Sequence, residues 1–409
     1  MAQTVLLVGA FDTKGSEYAF VREQILADGL KVLTLNTGVL GSTDLFPVDV
    51  EADQVATAGG GTLSKLRENK DRGEAMRAMA DGVAKMVPDL YAKGRFAGVL
   101  GLGGSGGSSV VTAGMRALPI GVPKVCVSTV ASGQTSAFVG AKDVVLFPSI
   151  TDVAGVNRIS QVIFTRAAGA ICGMVRAKLP EAVDERPIIV ASMFGNTTEC
   201  VDDCRTTLDE QGYEVLVFHA TGTGGQTMEA LVDEGLVDAV LDITTTEWAD
   251  EVCGGTLSAG PDRLSAPGRQ GIAHLIVPGC VDMANFGPID TMPEKYKSGR
   301  NLYEWNPAIT LMRTTVEENA KMGEIFAEKA NAASGPVAFL LPLRGVSILD
   351  GDGERFCDRE ADAALFAALK ENLNPSIAVE EMDANINDKA FSARAVERML
   401  ELVAESSAR

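Results

Sequence analysis

The sequence predicts an α/β protein of two Rossmann-like, doubly wound parallel-sheet lobes, related by an internal repeat and separated by a cleft. Three observations carry this expectation. Apolar runs of strand length recur along the 409 residues, they alternate with amphipathic helical stretches, and the second half reproduces the spacing of the first. Strands that read as continuous apolar runs belong to parallel sheets covered on both faces.

The elements follow in order. Residues 4–10 form an apolar strand, 11–15 a polar turn, 17–28 an amphipathic helix, Gly29 its stop and 31–35 a second strand. The second half repeats this as 187–192, 194–197, 199–211, Gly212 and 214–218, and Phe11 to Gly29 spans the same interval as Phe194 to Gly212. A third strand pairs 94–100 with 235–241, and a fourth pairs 121–127 with 271–277. A fifth pairs 144–147 with 337–341, followed by Pro148 and Pro342. The predicted lobes are 1–184 and 185–409, with a boundary between Pro180 and Pro187 and a long helix over 152–178 leading to it. The length agrees, since one core rarely serves a chain of this size.

The 36 Lys+Arg against 55 Asp+Glu give a net charge of −19, which argues against a general nucleic-acid binder. The amino end lacks the layout of a signal peptide, and the apolar stretch 153–175 carries Arg158, Gln161 and Arg166, which a membrane core would not tolerate. Seven scattered cysteines fit a reducing compartment. A cytoplasmic protein without membrane contact is expected.

Open α/β sheets bind ligands beyond the carboxyl ends of their strands, which directs attention to particular turns. The run Gly103, Gly104, Ser105, Gly106, Gly107, Ser108, Ser109 follows a buried strand and opens a helix, the arrangement in which backbone N–H groups and a helix amino end hold phosphate oxygens. It also fits G-x-G-x-x-G, yet it follows a later strand and has no acid about 20 residues on, so a dinucleotide site is disfavoured and a plain tight turn stays open. Asp12, Thr13 and Lys14 offer a carboxylate, a hydroxyl and an ammonium suited to magnesium and phosphate, or else to helix capping. Thr37 and Gly38 end the second strand. Ser128, Thr129 and Gly133, then Asp152, lie at the fourth and fifth strand ends and suit phosphate or ribose, or ordinary turns.

In the second lobe His219 stands at a strand's carboxyl end as a candidate general base, and His274 stands at an entering end. Glu247, with Asp242, Asp282 and Asp290, supplies carboxylates for magnesium or proton transfer, and Arg344 suits a substrate carboxylate. The segment 254–270, rich in Gly, Ser and Pro, is long for a structureless connection and is expected to act as a lid.

Gly9 to Gly15, Arg72-Gly73-Glu74-Ala75-Met76, Gly103 to Ser109, Ser128-Thr129 and Ile150-Thr151-Asp152 together resemble a known family. It is that of the ATP-binding domain of the tomato mosaic virus resistance protein and its uncharacterised microbial relatives. Residues 193–198 and 278–282 extend the resemblance over nearly the whole chain. It implies ATP with magnesium in the first lobe and a homodimer, which agrees with the turns read above, where Asp12 is the residue expected beside the metal. The expected function is an ATP-dependent enzyme using His219, Glu247 and Arg344 on a small polar or carboxylate substrate between the lobes. The alternative is a non-catalytic ATP-sensing or partner-binding homodimer.

Overall fold

The structure is a computed structural model that describes residues 3–178 and 186–408. All but the last two residues of the expected boundary segment lie outside the described residues. The chain divides into two compact units, 1–181 and 182–409, each taken by itself below.

In the first unit β1 (Thr4–Gly9), β2 (Lys31–Asn36), β3 (Gly98–Gly103), β4 (Lys124–Ser128) and β5 (Val145–Pro148) form a sheet in the order β2-β1-β3-β4-β5. Every neighbouring pair is parallel. All residues of β1, β3 and β4 are buried, as strands covered on both faces require. Helices Phe11–Ala27 and Ser160–Arg176 pack on one face through Tyr18, Val21, Phe164 and Ile171. Helices Arg72–Ala92 and Ser105–Arg116 pack on the other through Met79, Val83, Val111 and Met115. Each such fully buried side chain contributes about 1.5–3 kcal/mol.

The chain therefore changes faces between the helix after β1 and the helix after β3, which makes the β1/β3 gap the topological switch point where ligands bind in this strand order. Pairing of β1 with β3 runs from Val5↔Gly98 to Val8↔Gly101. Beyond it the Tyr18 hydroxyl enters the gap, accepting from the Leu102 N–H at 2.7 Å and donating to the Val8 carbonyl at 2.6 Å.

Two helices differ from expectation. The first begins at Phe11 rather than Glu17, with a kink at Lys14 (φ −130°, ψ 26°), and Asp12 lies in its first turn, where a carboxylate opposes the positive helix end. The helix expected over 152–178 begins only at Ser160, because the Asn157 Oδ1 accepts from the Ile159 and Ser160 N–H groups (2.9 and 3.0 Å) and starts the helix there.

The second unit contains β6 (Ile188–Met193), β7 (Glu214–His219), β8 (Ala239–Thr244), β9 (Ala273–Gly279), β10 (Met283–Phe286), β11 (Leu302–Asn306), β12 (Ile309–Arg313), β13 (Val337–Pro342) and β14 (Ala378–Met382). Its main sheet runs β14-β13-β9-β8-β6-β7, so five of its strands repeat the order of the first unit and β14 adds an edge. Strands β10, β12 and β11 form a separate antiparallel sheet that the repeat does not predict. Among the described residues no helix is long and apolar enough to cross a membrane.

Candidate functional site

The carboxyl ends of β1 to β4 in the first unit converge on one polar region. Gly103 closes β3 inside a turn so tight that a Cβ there would stand 2.7 Å from the Ser108 nitrogen, so only glycine fits. Gly104 then enters the helix Ser105–Arg116 in an extended conformation, and no side chain caps that helix. The N–H of Ser108 is bonded to the Gly104 carbonyl, whereas the preceding N–H groups belong to the first turn, which lacks intrahelical partners. Ser108 is buried, and its hydroxyl lies 2.6 Å from that of Ser128, tying the turn to the end of β4. The Thr129 N–H donates to the Gly103 carbonyl at 3.2 Å. Ser105 and Ser109 are exposed.

One residue outside the expected set joins this turn. Arg72, the first residue of its helix, brings its guanidinium to 3.5 Å from where a Cβ on Gly106 would stand. A cation at the positive ends of two helices is unfavourably placed unless an anion accompanies it, and Arg72 makes no ion pair among the described residues. The only sequence signal for it was its membership of a motif without an assigned role.

Beside the turn, Asn36 organises the ends of β1 and β2. Its Oδ1 accepts from the N–H groups of Phe11 (3.1 Å) and Gly38 (2.8 Å), while the Thr37 N–H donates to the Gly9 carbonyl at 2.8 Å. Asp12 is held against this loop: its Oδ2 accepts from the Leu40 N–H at 2.8 Å, and its Oδ1 is buried without a partner. A Cβ on Gly38 would stand 2.4 Å from the Asp12 Cγ, so the glycine makes room for the carboxylate. Thr13 is exposed, and its hydroxyl reaches only the Ala10 carbonyl, at 3.5 Å. The Lys14 Nζ donates to the Val153 carbonyl and tethers the segment after β5.

A cavity of about 680 Å³ opens at the ends of β4 and β5, within the usual range for small-ligand sites. The hydroxyl-bearing residues Ser128, Thr129, Ser132, Ser149 and Thr151 line it, with Pro148, Ile150 and the exposed Asp152. Gly133 only closes the neighbouring turn, its N–H donating to Val130 at 3.1 Å. No cluster of three or more His, Cys, Asp or Glu side chains suited to a metal exists among the described residues, so a cation here would need ligand oxygens as well as Asp12.

The second unit treats its expected site residues differently. Glu247 is 1% exposed; its Oε1 accepts from the Gly222 and Gly225 N–H groups (2.8 and 3.0 Å) and its Oε2 from the Arg263 Nε at 2.7 Å. Burial pushes its carboxyl up against the opposing pull of Arg263. Both oxygens of Glu247, expected as a catalytic residue, are thus engaged within the second unit, and it has no exposed face. Arg263 also binds Asp242 and, at 3.2 Å, Glu229. Burial alone would lift the Asp242 carboxyl, but Arg263 and the 2.9 Å hydrogen bond with His274 carry it well below the usual carboxylate range. The segment 254–270 expected as a lid is thus anchored by a fully buried guanidinium and ends in helix Ala266–Gln270.

Arg344 is exposed and paired with Asp383 (2.7 Å) and Asp352 (3.1 Å), and it lines a second cavity of about 310 Å³. Asp282 is buried, its Oδ2 accepting from the Ser347 hydroxyl at 2.8 Å, and burial pushes it up to about 6. His219 is the exception: it is exposed at the end of β7, its ring 5.4 Å from that of Phe194.

Comparison with known proteins adds relatives. The model of the "Uncharacterised protein family (UPF0261) N-terminal domain" matches residues 3–180, and that of the C-terminal domain matches residues 186–403. A UPF0261 protein of Clostridium tetani is 45% identical over 98% of this chain and 100% of its own. Another, from Rhizobium meliloti, is 45% identical over 96% and 97%. The ToMV resistance protein Tm-1(GCR237) of Solanum lycopersicum is 38% identical over 98% of this chain, which spans 56% of that protein. A solved structure of UDP-N-acetylglucosamine 2-epimerase from Rickettsia bellii aligns over 63% of this chain and 78% of its own, but at 9% identity and a TM-score of 0.23 the likeness bears on neither fold nor function.

Proposed function

The chain belongs to the UPF0261 family, and from that premise we propose that it binds ATP with Mg²⁺, the phosphates lying beyond the carboxyl ends of β1 and β3 in the first unit. The observation that carries this reading is the uncapped amino end of helix Ser105–Arg116, delivered by a glycine turn to the sheet's switch point. The N–H groups of Ser105, Gly106 and Gly107 receive phosphate oxygens, Ser128 and Thr129 add hydroxyls, and Arg72 adds the charge that a cluster of polyphosphate oxygens calls for. Asp12 fits the metal: its buried Oδ1 lacks a donor, and Mg²⁺ characteristically takes one or two carboxylates together with phosphates and waters. The metal, when bound, neutralises phosphate charge.

Two functions follow from such a site. As an ATP-dependent enzyme acting on a small polar or carboxylate substrate, the protein would rely on His219 as base, the one expected catalytic side chain left exposed and without a charged partner among the described residues. The buried engagement of Glu247 favours the second reading, a non-catalytic ATP-sensing or partner-binding protein that acts as a homodimer. Calorimetric titration with ATP, with and without Mg²⁺, and with NAD as contrast tests the shared premise. Magnesium-dependent ATP binding without NAD binding supports it, and silence with ATP refutes it. ATP turnover on addition of small carboxylic acids then separates the enzyme from the sensor.

A further inference from the structure

Ile150 carries two costs. Its φ is 62°, in the left-handed region where a β-branched residue is an outlier, and its side chain is 73% exposed. The neighbours hold it there. The Thr151 N–H donates to the Ser149 carbonyl at 2.7 Å and the Ser149 hydroxyl to the Thr151 carbonyl at 2.6 Å, which draws the loop tight with Ile150 at its tip. Strain of this kind persists where surrounding structure enforces it and clusters at ligand sites.

The tip forms part of the wall of the 680 Å³ cavity. Thr129, on its wall, borders the glycine turn, its hydroxyl 3.7 Å from where a Cβ on Gly104 would stand. Most of its lining residues bear hydroxyls, and the apolar remainder is Pro148 with Ile150. Hydroxyls serve phosphates and sugar, whereas an exposed Pro-Ile ledge beside them suits the face of a flat heteroaromatic ring. We propose that Ile150, together with Pro148 on the same wall, seats the base of the bound nucleotide and so selects a nucleoside phosphate over a bare polyphosphate. This rests on the phosphate-binding reading given above.

Titration of ATP and of tripolyphosphate into the native protein, Ile150→Gly and Ile150→Ala tests it. Glycine removes both side chain and strain, whereas alanine removes the side chain and keeps the strain. Both variants should weaken ATP roughly tenfold, equal to about 1.4 kcal/mol, while tripolyphosphate affinity stays within about twofold. The melting temperature of Ile150→Gly should hold or rise. ATP affinity unchanged in both variants overturns the base seat, as does a loss shared equally by ATP and tripolyphosphate, which would assign Ile150 to shaping the loop. Tripolyphosphate binding as tight as ATP in the native protein also overturns it while leaving the phosphate site standing. Absence of binding by either ligand overturns both readings.

Discussion

Asp12→Asn isolates the charge that the metal requires. The asparagine is isosteric, and its carbonyl oxygen can keep the 2.8 Å bond from the Leu40 N–H while its amide replaces the Oδ1 that has no partner in the native protein. Native packing thus survives, and urea unfolding should change by no more than about 1 kcal/mol, the ordinary worth of one hydrogen bond. The ligand side differs. Contacts to a charged group contribute about 1.5–3 kcal/mol, and at 1.4 kcal/mol per decade this is roughly a ten- to hundredfold loss of ATP affinity in Mg²⁺. In EDTA the same substitution removes a negative charge near phosphates, so affinity should hold or improve. Calorimetry in the two buffers reads the ratio directly. Gly38→Ala, whose Cβ would press on the Asp12 Cγ at 2.4 Å, should reproduce the loss without altering charge. An unchanged magnesium dependence in Asp12→Asn would refute the assignment, and an equal loss in both buffers would make Asp12 a structural residue.

Further predictions concern charge elsewhere. Arg72→Ala should weaken both ATP and tripolyphosphate by about tenfold, the worth of a charge-assisted contact, with unfolding unchanged; equal affinity for both removes Arg72 from the site. Arg263→Met leaves Asp242, Glu229 and Glu247 without their shared cation and should cost about 3–5 kcal/mol in urea unfolding, whereas a cost below about 1 kcal/mol would contradict the buried network. Burial pushes Asp250 up to about 7, above its unfolded value near 3.9, so its contribution to stability is fully present below that unfolded value and is lost as pH rises through about 7. Asp250→Asn should flatten that part of the melting profile between about pH 4 and 7, and parallel profiles would contradict it.

The sequence made the parallel strands legible because β1, β3 and β4 are apolar on both faces, and the glycine run after β3 because a helix start follows it directly. The repeat was visible as spacing, and the two sheets share a strand order. What escaped were relations between distant residues. Arg263 sits in a segment whose Gly, Ser and Pro content reads as a mobile lid, yet its partners Glu229, Asp242 and Glu247 lie 16 to 34 positions away, beyond any local pattern. The burial of Glu247 escaped for the same reason. Strands β10 to β12 are short and antiparallel inside an otherwise parallel unit, so no helix alternation announces them. The left-handed turn at Ile150 was invisible because isoleucine signals a strand, not a turn.

The central claim is tested most directly by a crystal structure with a non-hydrolysable ATP analogue and Mn²⁺ in place of Mg²⁺. The expected result is phosphate oxygens about 2.7–3.2 Å from the N–H groups of Ser105, Gly106 and Gly107, with an anomalous peak beside Asp12. A nucleotide bound elsewhere, with the amino end of helix Ser105–Arg116 facing only water, would contradict it.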